Sequence, residues 1–432
     1  MTDTEEDLQD HVPPDRPERR RWLGSVLIDT RPLRSPAFRA LWVSTAVTAI
    51  GSQFSAVAVP KQIYDLTGSS AYVGLTGAVG LIVLIVFGLW GGAIADAADR
   101  RTVMAISNLG IVVTTVLLWL QAAAGFNSVV VVLVLFGIQQ SFAAVNAPTR
   151  SAAIARVVPT SQLVAANALG FTVFTFGAVF GPLVAGVLIP LTGLSTLYII
   201  DSTALTIALV MVLRLPRMPP LERATRTAGL RDVVDGLKYL SAHGVLLVSF
   251  LVDMIAMIFG MPKALFPEMA ERTFGDPHGG GSALGWLYAG IPLGAFAIGL
   301  LSGRLSRIHR NGVVVTFAIA IWGAAMVGFG LSRVLWVAVL FLAIGGAADM
   351  ISGVHRGAIL QAASTDEMRG RIQGVFMVVV AGGPRLADVV HGWAAAAVGT
   401  RWAAAGGGVL VIILLVITVT MVPAFWRYSA PQ

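Results

Sequence analysis

Asp201, Asp253, Asp349, Arg385 and Asp388 all fall inside long apolar stretches of the chain. A charge held at the centre of a bilayer costs roughly 2.5 kcal/mol or more, so a residue kept there is a candidate for handling an ion or a proton. Arg385 and Asp388 are three residues apart, which puts them on one helical face and within reach of each other, and they directly follow Gly382-Gly383-Pro384. Proline removes a backbone hydrogen bond and glycine loosens a helix, so a bend is expected beside the pair. Withdrawing water from a carboxyl favours its protonated form, whereas an approaching guanidinium favours the ionised one. A protein that alternates these surroundings binds and releases a proton. Asp253, Arg385 and Asp388 are therefore the first candidates for proton coupling. Asp349 and Asp201 are candidates of the same kind, although serine, threonine or backbone groups in reach of each favour a structural role.

Such residues need helices that cross a membrane. Hydrophobic residues make up 56% of the 432 and charged ones 12%, about half the charged share of a soluble domain. That leaves too little polar surface for a water-facing fold. A bilayer core of about 30 Å takes roughly 20 helical residues per crossing. Uncharged runs at 40–60, 71–95, 311–332 and 402–426 give one span each. The run 102–149 must fold back at Ala124-Gly125-Phe126-Asn127, and 157–200 turns near Pro190-Leu191-Thr192-Gly193. A run near 282–303 and three lightly charged helices near 244–267, 335–355 and 372–396 bring the expectation to twelve spans. At about 1.5 Å per residue from the nearest cytosolic end, Asp349 lies about 12 Å deep, Asp253 about 15 Å, Asp201 and Arg385 about 20 Å and Asp388 about 26 Å.

With the start placed in the cytosol, 24 of the 30 basic residues fall in the segments on that side, Arg150 and Arg356 among them. Lys61, Lys263, Arg272, Arg333 and Arg401 fall on the other. The positive-inside rule thus puts both termini in the cytosol of a multi-pass protein of the cell membrane. Residues 1–36 are expected to form a disordered cytosolic tail without a secretory signal. Two six-helix bundles follow at 37–214 and 244–426, joined by a basic, proline-bearing connector at 215–243, with a short tail at 427–432. The halves echo each other. Val59-Pro60 with Gly68 matches Phe266-Pro267 with Gly275, Arg150 matches Arg356, and Gly92 to Asp96 matches Gly303 to Arg307. A parallel repeat of six spans places a substrate site at mid-membrane between two rocking halves.

Several functions are disfavoured. With no cysteine, thiolate catalysis and disulfides are absent. None of the three lysines follows a glycine, so there is no phosphate-binding loop and ATP is not the expected energy source. The connector lacks a catalytic cluster, which argues against an enzyme. A six-plus-six repeat with bent helices suits alternating access better than a fixed pore. His355 and His391 stand apart from other ligands, so no metal site is expected. The excess of basic residues reads as topology rather than nucleic-acid binding. The expected partners are a small-molecule substrate and the lipid bilayer, with a proton gradient in place of any cofactor.

Two motifs narrow the reading. Gly91-Gly92-Ala93-Ile94-Ala95-Asp96-Ala97-Ala98-Asp99-Arg100-Arg101 resembles the signature loop of the major facilitator superfamily, departing from it at Ala97 and Asp99. The resemblance implies that Gly92, Asp96, Asp99, Arg100 and Arg101 form its conformational motif. Gly177-Ala178-Val179-Phe180-Gly181-Pro182-Leu183-Val184-Ala185-Gly186 is similar to the motif of the exporting, proton-antiporting branches, carried here by Gly177, Gly181, Pro182 and Gly186. Val57 to Ile63 with Thr67-Gly68-Ser69, Leu284 to Ala295, Ser302 to Leu305, and Leu360-Gln361 with Glu367 to Ile372 resemble the enterobactin exporter family. That likeness covers roughly residues 35–425. It implies the major facilitator fold, all-α with twelve transmembrane helices in two repeats, and a proton-driven antiporter that exports a siderophore or a similar amphipathic metabolite. Broad drug efflux is the alternative. Phe171, Phe174, Phe176, Trp286, Tyr288, Met254, Met257 and Met261 are the candidate cavity lining.

Overall fold

The computed structural model describes residues 29–220, 230–300 and 310–429; within these ranges the side chains of 88–96, 230–233, 366, 367, 369, 370 and 377 lie outside the description. Most of the expected tail 1–36, the connector residues 221–229 and the segment 301–309, which includes Gly303 to Arg307, are therefore not described. Among the described residues the regular structure is helical throughout.

The first bundle comprises α1 (Pro36–Thr67), α2 (Ser70–Ala97), α3 (Arg100–Ala123), α4 (Val129–Val157), α5 (Leu163–Thr192) and α6 (Leu194–Leu213). The connector contributes α7 (Leu230–Ala242). The second bundle comprises α8 (Gly244–Gly260), a short α9 (Phe266–Arg272), α10 (Ser282–Gly299), α11 (Asn311–Leu331), α12 (Leu335–Ala363), α13 (Asp366–Val398) and α14 (Thr400–Met421), followed by a turn, α15 (Pro423–Trp426). Among the described residues, twelve segments are long and apolar enough to cross a membrane, with α8 and α9 forming one of them. An even number of crossings leaves Pro36 and Met421, the outer ends of the first and last of them, on one face, here called the terminal side. The opposite face is the distal side.

Local chemistry sets the boundaries. Ser35, Ser69, Asp99 and Ser128 cap α1 to α4, each accepting a backbone N–H of the first turn, which satisfies donors that a helix start leaves open. The expected turns fall at Gly125 and Gly193, both with positive φ. Gly68 and Gly275, matched by the repeat, both adopt the left-handed conformation, at φ 63° and 80°. The seventh span differs from an uninterrupted helix: it stops at Gly260, passes Met261-Pro262 into a 3-10 turn at Lys263–Leu265, and resumes as α9. Proline supplies no N–H to continue α8, which is the physical reason for the break.

The two bundles meet along two seams, α2 against α13 and α5 against α10. Both seams are lined by glycine, which lets backbones approach closely. A Cβ on Gly186 would stand 2.8 Å from the Gly285 Cα, and one on Gly285 would meet the Pro182 carbonyl at 2.6 Å. On the other seam, a Cβ on Gly74 would meet the Asp388 carbonyl at 2.6 Å, and Gly77 and Gly80 lie against Arg385.

Candidate functional site

Between the seams lies a cavity of about 500 Å³ with walls from both bundles. Its first-half wall carries hydroxyl and amide groups, Ser52, Gln53, Thr76 and Gln140, beside Phe136 and Phe174. Its second-half wall carries Lys263, Tyr288, Arg385 and Asp388. Asp201 of α6 reaches the same space.

Each charged group is held differently. Asp201 is fully buried; the Ser55 hydroxyl donates to its Oδ2, while Oδ1 has no protein partner. Arg385 donates to the Ala381 carbonyl one turn back, at 2.7 Å, and no ion pair joins it to Asp388 among the described residues, although the two share the cavity. The expected bend at Pro384 falls within a helix that continues from Asp366 to Val398. Lys263 sits on the 3-10 turn that breaks the seventh span and lines the cavity beside Asp388 and Ala264. Two carboxyls and two cations thus face one partly aromatic volume. That arrangement can take a ligand with polar and aromatic parts, and it places titratable carboxyls where a change of access would alter their hydration.

Other expected site residues lie elsewhere. Asp253 on α8 is buried and pairs with Arg356 of α12, and the same guanidinium stands 3.7 Å from Asp349. This cluster is not part of the cavity wall, so the structure brings Arg385 and Asp388 to the cavity without Asp253. Trp286 packs edge-on against Trp336 at 4.9 Å between ring centres and does not line the cavity. Tyr288, two residues on, does, and its ring also meets Phe266. Phe174 lines the cavity, while Phe171 and Phe176 are exposed away from it. Met257 and Met261 are buried in packing, with Met257 against Gly383.

The signature loop acts as a brace. Asp99 caps α3 through the Thr102 N–H at 3.0 Å and accepts the Met218 N–H at 2.7 Å. Partial burial raises its carboxyl, but the backbone donors at Thr102 and Met218 outweigh that and leave it below the usual carboxylate range. Arg100 donates to the Ala152 carbonyl at 3.0 Å and Arg101 to that of Leu213. Helices α3, α4 and α6 and the start of the connector are tied together there. The side chains at Gly92 and Asp96 lie outside the described residues. The glycines of the second motif serve packing: Gly177 faces the α1 backbone at Ala49, Gly181 faces Gln53, and Gly186 with Pro182 mates with Gly285 across the seam.

Three cations counted as loop residues in the sequence prove to be internal. Arg150 and Arg356 lie inside α4 and α12, 9% and 4% exposed, and Lys61 is 1% exposed. Arg150 reaches the Thr45 hydroxyl at 3.0 Å and the Asn146 amide oxygen at 3.3 Å. Lys61 pairs with Asp65 and, across the bundles, with Glu271 at 3.3 Å. Ser70 donates to Glu268 at 2.6 Å and Arg272 reaches the Gly68 carbonyl at 3.4 Å. These bonds tie the two halves together on the distal side. Asp65, Glu271 and His278 offer three potential metal-ligand atoms within 4.8 Å of one another, but the Lys61 ammonium already holds two of the carboxylates. The repeat was the available signal for Arg150 and Arg356, since it aligns them at matching helical positions.

A model of the transmembrane secretion effector family matches residues 29–427. The chain belongs to that family of major facilitator transporters. It is 28% identical to the enterobactin exporter EntS of Shigella boydii serotype 18 over 349 residues, covering 79% of this chain and 81% of that one. Against the protein of the same name from Citrobacter koseri the identity is 28% over 367 residues, covering 83% and 84%. The fold is also that of a bacterial homologue of the human lysosomal transporter Spinster in an inward-facing, unoccupied conformation (TM-score 0.68, 16% identity, 92% of this chain and 97% of that one). A D-xylose–proton symporter is similar in the same sense (TM-score 0.69, 13% identity, 91% and 99%).

Proposed function

We propose that this transporter is a proton-coupled exporter that moves a siderophore or similar amphipathic metabolite out of the cytosol by alternating access. The observation that carries this reading is the cavity itself: two carboxyls, Asp201 and Asp388, and two cations, Lys263 and Arg385, face one volume shared by both bundles. In this account the terminal side faces the cytosol, and the structure corresponds to the state whose outward exit is closed. Cargo enters from the cytosol and rests against Phe136, Phe174 and Tyr288. Protonation of Asp388 or Asp201 from outside then accompanies the return of the empty carrier. Similarity to exporters named for enterobactin supports the cargo class.

The test compares culture medium and cell extract by mass spectrometry for strains with and without the gene, grown under iron limitation. An iron-chelating metabolite that leaves the medium and accumulates in the deletion strain supports the proposal. An unchanged chelator profile together with heightened drug accumulation would instead establish broad efflux.

A further inference from the structure

A second cleft lies at the terminal-side ends of α1 and α6, away from the transport cavity. It spans Pro36 to Val43 on α1 and runs from Met211, in the last turn of α6, to Pro216 just beyond it. Arg39 and Arg214 line it, both exposed, and neither guanidinium has a hydrogen-bond or ion-pair partner among the described residues. The buried Leu215 forms part of its wall. Pro36 to Val43 covers about 10 Å along a helix axis, and Met211 lies nearly one turn deeper than Arg214. The cleft therefore has a cationic end at the level of lipid headgroups and an apolar end at the level of acyl chains. A ligand that matches both ends has a phosphate and a hydrocarbon tail. Basic clefts between transmembrane helices suit anionic headgroups, and a guanidinium binds a phosphate through paired N–H donors.

We propose that this cleft holds one anionic phospholipid, its phosphate between Arg39 and Arg214 and an acyl chain against Ala40, Val43 and Met211. The site is independent of cargo and of coupling, so it stands or falls apart from the function proposed above. Bound there, the lipid would join the first and last helices of the first bundle at the point where the connector leaves.

The experiment equilibrates the full-length purified protein with equal amounts of phosphatidylglycerol and phosphatidylcholine in mixed micelles and counts retained lipids by native mass spectrometry. The wild type should keep one phosphatidylglycerol in preference. The double variant R39Q/R214Q should lose that retention by about tenfold or more, and R39K/R214K, which keeps the charge but not the paired donors, should fall between the two. Met211→Trp, which fills the apolar end and leaves both charges, should also lose it. Arg217→Gln, an exposed arginine outside the cleft, should behave as wild type. Monodisperse elution of each variant shows that it is folded. Equal loss in Arg217→Gln would reduce the effect to general surface charge and overturn the proposal. So would an unaffected double variant, a wild type without preference, or displacement of the lipid by inorganic phosphate alone. Preference that appears only after the acidic residues at 3–10 are neutralised would make the N-terminal segment the occupant, which also overturns it.

Discussion

Arg150 and Arg356 occupy matching places in the two halves, yet their company differs. Arg356 has carboxylates at Asp253 and Asp349, whereas Arg150 reaches Thr45 and Asn146. Removing one member of a buried pair strands the other charge, at a cost of roughly 3–5 kcal/mol, while replacing both by apolar residues can be nearly neutral. Asp253→Leu is thus expected to lower thermal stability strongly in detergent, and the double variant D253L/R356M to recover most of it. If the single change were as stable as wild type, the pair would not hold α8 to α12. Asp388 and Asp201 are expected to behave in the opposite way. Asp388→Asn and Asp201→Asn should unfold near the wild-type temperature and abolish gradient-driven export. Full transport in both would remove the cavity carboxyls from coupling. The sequence singled out all four aspartates by the same argument, apolar surroundings, and could not tell an ion pair from a cavity wall. The partner that separates them, Arg356, is about 100 residues from Asp253 along the chain and lies towards the terminal-side end of its helix, where an arginine reads as a topological anchor.

At the scale of elements, helix number and most turns were legible because twenty-residue apolar runs and glycine turns are local properties. The break of the seventh span was not. Its run reads as one helix with a charged end, and only packing shows Lys263 turned to the cavity instead of outside water. The glycine motifs were legible as close-packing signals, but not their mates. Gly186 faces Gly285 and Gly77 faces Arg385, both across a gap of about 100 residues or more that no local pattern spans. These seams have no room for a side chain, so Gly285→Leu should weaken the distally closed state. The chain contains no cysteine, which allows a single reporter: Thr76→Cys on the cavity wall should react faster from the distal side when Gly285→Leu is present. An unchanged rate would mean that the seam does not set the closed state. The Asp99 brace carries its own pH dependence. Because its carboxyl is held below the usual range, the stability it gives is present above about pH 4 and is lost as pH falls through the lower folded value. Asp99→Asn should therefore flatten the acid limb of the stability profile while leaving the neutral plateau lower.

For the whole molecule, the bonds that join the halves on the distal side are a short list of polar contacts around Lys61, Glu271, Ser70 and Glu268. Exposed ion pairs contribute little, but Lys61 is buried, so its loss leaves Asp65 and Glu271 facing each other uncompensated. Lys61→Gln is expected to favour the distally open state. The family and the twelve-helix plan were readable from motif and hydropathy, whereas the cavity was not, because it is assembled from nine separate helical segments whose inward faces carry no common periodic signature. The central claim is that one cavity is reached alternately from the two sides and that its carboxyls couple the exchange to protons. The most direct measurement is the labelling of Thr76→Cys by a membrane-impermeant maleimide in sealed vesicles of each orientation, with and without an inward proton gradient. Labelling is expected from both sides without a gradient, with a shift towards the terminal side under it and loss of that shift in Asp388→Asn. Labelling from one side only under every condition, or a shift that persists without Asp388 and Asp201, would contradict it.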